Sequence, residues 1–156
     1  MDWQRWAEQA ERALDVAGRG DWRGLFAPGA TFSDPATPSP TSDLRSISRA
    51  TRQVFPDWTQ EITSIRGGED WAVFEWVGRA TYSAAGAGGR PGDPGDGARI
   101  EMHGATIVEV DSEGRVTSWR DYLDRKEPEE QIRAAARAQA GGGSARGRPA
   151  APQAPG

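Results

Sequence analysis

Between Trp58 and Asp124 the apolar residues recur with a period of two, and the pattern breaks at turn-forming clusters. "WTQEITSIR" gives way at "GGED" to "WAVFEWVGRATYS". After a Gly- and Pro-rich stretch, "ARIEMHGATIVEV" gives way at "DSEG" to "RVTSWRDYLD". A period of two sends successive side chains to opposite faces of an extended chain, and short polar breaks with glycine suit hairpins. The pattern predicts four strands joined by hairpins. The N-terminal part has another period. Trp3, Trp6, Ala7, Ala10, Leu14 and Ala17 recur at helical spacing, Asp2 can cap the start, and Gly18 and Gly20 end the helix. "DWRGLF" reads as a short helix and "GATFSDP" as a short strand halted by Pro35. Leu44, Ile47, Thr51 and Val54 mark a second amphipathic helix, capped by Thr41 or Ser42 and stopped before Pro56. "EPEEQIRAAARAQ" is a closing helix with Pro128 in its first turn. Helices first, then an antiparallel sheet, place the chain in the α+β class. These elements fill residues 1–139. Residues 140–156 are Gly, Pro and Ala without periodicity and are expected to form a disordered tail.

Charge and composition narrow the function. The net charge of −4 offers no basic footprint for nucleic acid. With no Cys there is no disulfide, thiolate nucleophile or Cys-based metal site, and His103 is the only histidine. No metal or organic cofactor is expected. The N-terminus has no apolar signal core, and no apolar run approaches membrane-spanning length, so a soluble cytoplasmic protein without membrane contact is expected. The stretch "GAGGRPGDPGDG" lacks the Lys-Ser/Thr ending of a phosphate loop and reads as a mobile flap between strands.

The sharpest anomaly lies in "SWRDYLD". At a period of two, Trp119, Asp121 and Leu123 share a face, so a carboxylate stands between two large apolar groups. A buried charge is costly unless it is paired, protonated or used. Counting back across "DSEG" puts Met102, Gly104 and Thr106 on the same face and turns His103 outward. Desolvation would raise the pKa of Asp121 and suit it to donate a proton to a carbonyl or epoxide oxygen.

The segments "VFPDW", "GGEDWAVFEW" and "HGATIVEVDSEGRVTSWRDYLD" resemble the SnoaL-like polyketide cyclases of the nuclear transport factor 2-like superfamily, and "WRDYLD" before an acidic helix also resembles limonene epoxide hydrolase. The resemblance covers roughly Trp3 to Ala135. It implies an α+β cone, a curved antiparallel sheet with helices over its concave face. It also implies that Asp121 is the general acid/base. The other two members of the hydrolase Asp-Arg-Asp set fall on Trp76 and Gly78, and its water-holding Tyr and Asn on Phe32 and Asp34, so the hydrolase machinery is not carried over. "FSDP" matches the segment that bears the base in ketosteroid isomerase and points to Asp34. Epoxide-opening cyclases pair such an Asp with a Glu, which falls on Glu61. Tyr82 stands where many cyclases have His.

The resemblance therefore implies Asp121, Asp34, Glu61 and Tyr82 as catalytic candidates. Phe32, Trp58, Phe74, Trp76, Met102 and Trp119 are the candidate lining for an apolar or polycyclic substrate, with no metal among the ligands. Bland roles stand beside each. Asp34 suits turn chemistry, Glu61 a solvated strand face, and the aromatics a core. The expected activity is cofactor-free ring closure, with an isomerase, a lyase, an epoxide hydrolase or a non-catalytic binding protein as alternatives. Trp71, Val73, Val77 and Ile107 fall on the opposite sheet face and predict a homodimer through it.

Overall fold

The computed structural model describes residues 1–13 and 22–143. Its elements are α1 (Trp3–Ala13), α2 (Trp22–Leu25), β1 (Phe26–Ser33), α3 (Leu44–Val54), β2 (Thr59–Gly67), β3 (Trp71–Thr81), β4 (Arg99–Val110), β5 (Val116–Leu123) and α4 (Lys126–Gly143). Leu14, Ala17, Gly18 and Gly20 lie outside the described residues, as do the side chains of Leu44 and Ile47. Among the described residues no helix is long and apolar enough to cross a membrane.

One open sheet holds the strands in the order β1-β5-β4-β3-β2. β2 to β5 pair antiparallel, as the two tight turns require. β1 runs parallel to β5, so the wholly antiparallel sheet expected from the sequence is corrected to a mixed one. A hairpin dictates direction only between neighbours in sequence. β1 reaches its partner after three other strands and is free of that constraint. It also begins at Phe26, earlier than expected, and shifts register between Phe26 and Thr31, where Gly29 has φ 79°.

Alternation on β3 sorts the two faces. Ala72, Phe74, Trp76 and Ala80 are buried on the inner face, while Trp71, Glu75 and Arg79 are exposed on the outer. The inner face carries two apolar clusters. The first packs Trp3, Trp6, Ala7 and Ala10 of α1 against Phe74, Val108 and Val116. The second joins Trp76, Ala80, Ile100 and Met102, flanked by Phe55, Trp58, Leu123 and Ile132.

Asp2 caps α1 by accepting from Arg5 N at 3.1 Å. The indoles of α1 then tie it to both hairpin turns. Trp3 Nε1 donates to Gly68 O at 2.8 Å, and Trp6 Nε1 to Gly114 O at 2.9 Å. α3 begins at Leu44, later than a Thr41 or Ser42 cap implies; the Thr41 hydroxyl instead accepts from Asp43 N at 3.1 Å.

β5 pairs with β4 only as far as Gly104, which leaves the edge of β4 open from Arg99 to His103. Side chains of α4 take its place. His103 N donates to Glu127 Oε2 at 2.8 Å, and Glu101 N to Gln131 Oε1 at 2.8 Å. Gln131 Nε2 returns a bond to Glu101 O at 2.6 Å. One primary amide thus mimics a strand's peptide group. Further along, Gln139 accepts from Gly95 N at 2.9 Å and donates to Asp96 O at 3.1 Å. α4 continues to Gly143, past the expected boundary at 139. The rest of the expected tail, 144–156, lies outside the described residues.

The segment expected to be a mobile flap is instead laced together. Asp96 accepts from Ala84 N and Gly92 N at 2.8 Å each, and Asp93 accepts from Arg90 N at 2.7 Å. Carboxylates that bond consecutive turns hold a Gly-rich loop that lacks apolar anchors of its own.

Gly104 is required by packing. A Cβ there would collide with the Trp76 ring, which is buried in the core. Gly104→Ala is expected to lower stability by about 1–3 kcal/mol through overpacking. Denaturant titration checks this.

Candidate active site

Asp121 stands at the seam between the two clusters. Its β4 partner is Thr106, whose β3 partner is Phe74. Phe74 belongs to the first cluster, and Trp76, two residues on, belongs to the second. Because Gly104 has no side chain, the Trp76 ring lies across β4 and its Nε1 donates to Thr106 Oγ1 at 2.9 Å. Thr106 Oγ1 lies 2.6 Å from Asp121 Oδ1, and Trp119 Nε1 donates to the same oxygen at 2.8 Å. Oδ2 accepts no bond from the described residues, and the Asp121 residue as a whole is half-buried.

Burial pushes the Asp121 carboxyl up from its ordinary 3.8 to about 6. The bonds from Thr106 and Trp119 oppose that rise, and the charge of Asp34 adds to it. A carboxyl that titrates near neutrality can hold or release a proton under ordinary conditions.

Asp34 reaches this region through the parallel strand pair. Phe32 is partnered with Trp119 and Ser33 with Arg120. Asp34 is the next residue, just past the end of β1, and its charge acts on Asp121. The turn role holds as well, since Asp34 Oδ1 accepts from Ala36 N and Thr37 N. Those bonds fix the carboxylate where its field reaches Asp121.

The other candidates lie apart. Glu61 is on the outer face, exposed, in an ion pair with Arg79 at 3.1 Å; Arg79 also binds Glu101 at 2.9 Å. Tyr82 follows the end of β3, with its ring 6.4 Å from Phe55. It is eight residues beyond Phe74, roughly 26 Å along an extended strand. Phe74 is covered by the Trp3 and Trp6 rings, at 6.2 and 5.7 Å. Trp76 and Met102 are buried in the second cluster. Trp58 packs edge-on against Trp76 at 6.0 Å. Phe32, Trp58 and Trp119 remain half-buried. His103 is exposed, with Nδ1 2.7 Å from Glu127 Oε1. Thr106 had a signal in the sequence, its place on the face of Asp121, but its bonding became visible only with the Trp76 ring in place.

A cavity of about 460 Å³ opens elsewhere, lined by Asp57, Thr59, Arg79, Arg99, Glu101 and Gln131 among others. Arg79 is committed to two carboxylates and Asp57 to Thr81. This opening holds none of the candidate residues, and the half-buried carboxyl of Asp121 with its raised pKa is the better mark of chemistry.

Comparison with known proteins agrees with this architecture. A family model, the SnoaL-like domain, matches residues 4–119. No curated protein matches the sequence. Among solved structures, IdmH, a candidate polyketide cyclase from Streptomyces antibioticus, is similar at 20% identity with a TM-score of 0.70, covering 85% of this chain and 99% of that one. A candidate polyketide cyclase from Acidithiobacillus ferrooxidans is 25% identical, with a TM-score of 0.67 and coverage of 84% and 94%. An LEH-like epoxide hydrolase from M. tuberculosis is 16% identical, with a TM-score of 0.57 and coverage of 89% and 97%.

The raised pKa of Asp121 fixes the sign of a pH effect. Between 3.8 and about 6 the folded chain keeps a proton that the unfolded chain has lost. Its contribution to stability is full below the lower value and is lost as pH rises through the upper one, on the order of 2–3 kcal/mol. Asp96, Asp111 and Glu127, whose carboxyls are held low by hydrogen bonds, act in the opposite sense in acid. Asp121→Asn isolates the single group. The variant should exceed the parent in stability at pH 8 and match it near pH 4, as read by denaturant midpoints at both values.

Proposed function

The chain belongs to the SnoaL-like domain family, and from that premise we propose that it is a cofactor-free acid/base cyclase acting on an apolar natural-product intermediate. The observation that carries this is a carboxyl at the seam of two apolar clusters, with one oxygen accepting two hydrogen bonds and the other accepting none from the described residues, and with a second carboxylate close enough to raise its pKa. Protonated Asp121 donates to a carbonyl or epoxide oxygen as the new ring bond forms. Asp34 takes the proton released by the attacking carbon or hydroxyl. A pair of carboxyls can divide the acid and base roles in this way. Phe32 and Trp119, side by side on β1 and β5, offer a flat apolar wall beside the pair.

Simple epoxide hydrolysis fits less well. Trp76, which stands in the place of a hydrolase charge, is buried and bonded to Thr106. A binding protein without chemistry is the reading to which failure of the following test leads. Asp121→Asn should lower turnover about 10²–10⁴-fold with little change in ligand affinity. Asp34→Asn should also lower it, and the two losses should not add if the carboxyls are coupled. Chelator and dialysis should leave turnover intact. Full activity in Asp121→Asn would refute the acid/base role.

We further propose a cytoplasmic homodimer joined through the outer sheet face. Trp71 is 45% exposed and Tyr122 53% there, and Val73, Val77 and Ile107 are half-buried beside them. Light scattering should give twice the chain mass, and Trp71→Glu should reduce it toward the monomer.

A further inference from the structure

Hydrogen-bond direction around Asp121 carries an inference beyond the choice of acid. An indole N–H can only donate. Trp76 therefore donates to Thr106 Oγ1, and Trp119 donates to Asp121 Oδ1. The Thr106 hydroxyl has a single hydrogen, and Asp121 Oδ1 at 2.6 Å is the acceptor given to it. Thr106 is 2% exposed, so no bulk water offers an alternative. If the carboxyl proton sat on Oδ1, it would point at Thr106 and displace that hydrogen into a site without an acceptor. It would also weaken the oxygen that receives the Trp119 indole. Neither penalty arises if the proton sits on Oδ2.

We infer that Thr106, oriented by Trp76, is a positioning residue that keeps the acidic proton of Asp121 on Oδ2, the oxygen to which no described residue bonds. The inference rests on the acid/base reading of Asp121 and adds the atom that acts. It also defines what the site accepts, an uncharged oxygen with a free lone pair, such as a carbonyl or an epoxide, presented to Oδ2. The groups facing the carboxyl are Asp34 beside β1, the Trp119 indole on β5, Thr106 on β4 and, through Thr106, Trp76 on β3. Of these only Asp34 is charged. Its field acts on the titration of Asp121 and leaves the direction of the bonds to Oδ1 unchanged.

The test is carbon-13 NMR titration of the Asp121 carboxyl in the full chain, with the indole protons followed in parallel. Thr106→Val keeps the shape and removes a donor to the carboxylate, so its midpoint should rise by about one pKa unit, tenfold in the ionisation constant. Thr106→Ser should restore the parent midpoint. Trp76→Phe should raise it by less, because the donor stays but loses its orientation. The Trp119 indole proton should stay hydrogen-bonded on both sides of the titration. An unchanged midpoint in Thr106→Val, an equal shift in Thr106→Ser, or loss of the Trp119 bond on protonation would each overturn the inference. Should Thr106→Val not fold, an unchanged midpoint in Trp76→Phe does the same. Turnover of Asp121→Asn keeps the two ideas apart. The expected titrations with full activity in that variant would leave the wiring and remove the catalytic role. Failed titrations with lost activity would do the reverse.

Discussion

The placement of the Trp76 ring over Gly104 is the constraint on which the inner face depends. A side chain at residue 104 would occupy the space of the ring. With glycine there, the ring fills the gap between the two apolar clusters and brings its one polar atom to Thr106. A large apolar surface is buried, and the same group delivers a donor to Thr106, a buried polar side chain within that surface. Large aromatics with one polar atom are suited to seams of this kind.

The balance at Asp121 follows from that seam. Burial alone would make the carboxyl a reluctant acid, and two donors alone would hold it below the ordinary carboxylate range. Together they leave it near neutrality. The parallel edge strand supplies the third influence. The pairing runs from Phe32 with Trp119 to Ser33 with Arg120, and Asp34 follows at its end, near enough for its charge to act on Asp121. An edge strand of opposite direction would have carried Asp34 away from the site.

What the sequence made legible was local. The period of two and the turn clusters located β2 to β5 closely, and the count across "DSEG" put Met102, Gly104 and Thr106 on the face of Asp121. What it concealed depends on long-range partners. The direction of β1 is set by a strand about ninety residues away. Phe74 looked able to line a pocket until the two tryptophans of α1 covered it. Glu61 was assigned to the site by analogy, although Trp58 and Ile62 already claimed the other side of its strand, and Arg79 holds it outside. The amides of α4 that complete the edge of β4 carry no sequence signal, because a glutamine on a helix is ordinarily solvated.

The indole bonds of α1 also say something about time. Their acceptors lie 65 and 108 residues further along the chain. During synthesis the helix cannot complete its contacts until the second turn has left the ribosome. At roughly 5–20 residues per second, that leaves its apolar face unpartnered for roughly 5–20 s. Contacts between residues so distant in sequence slow folding generally. The helix is thus made well before its partners and seated late. Until both acceptors have emerged, the nascent chain carries two uncovered tryptophans, a natural place for a chaperone to hold it.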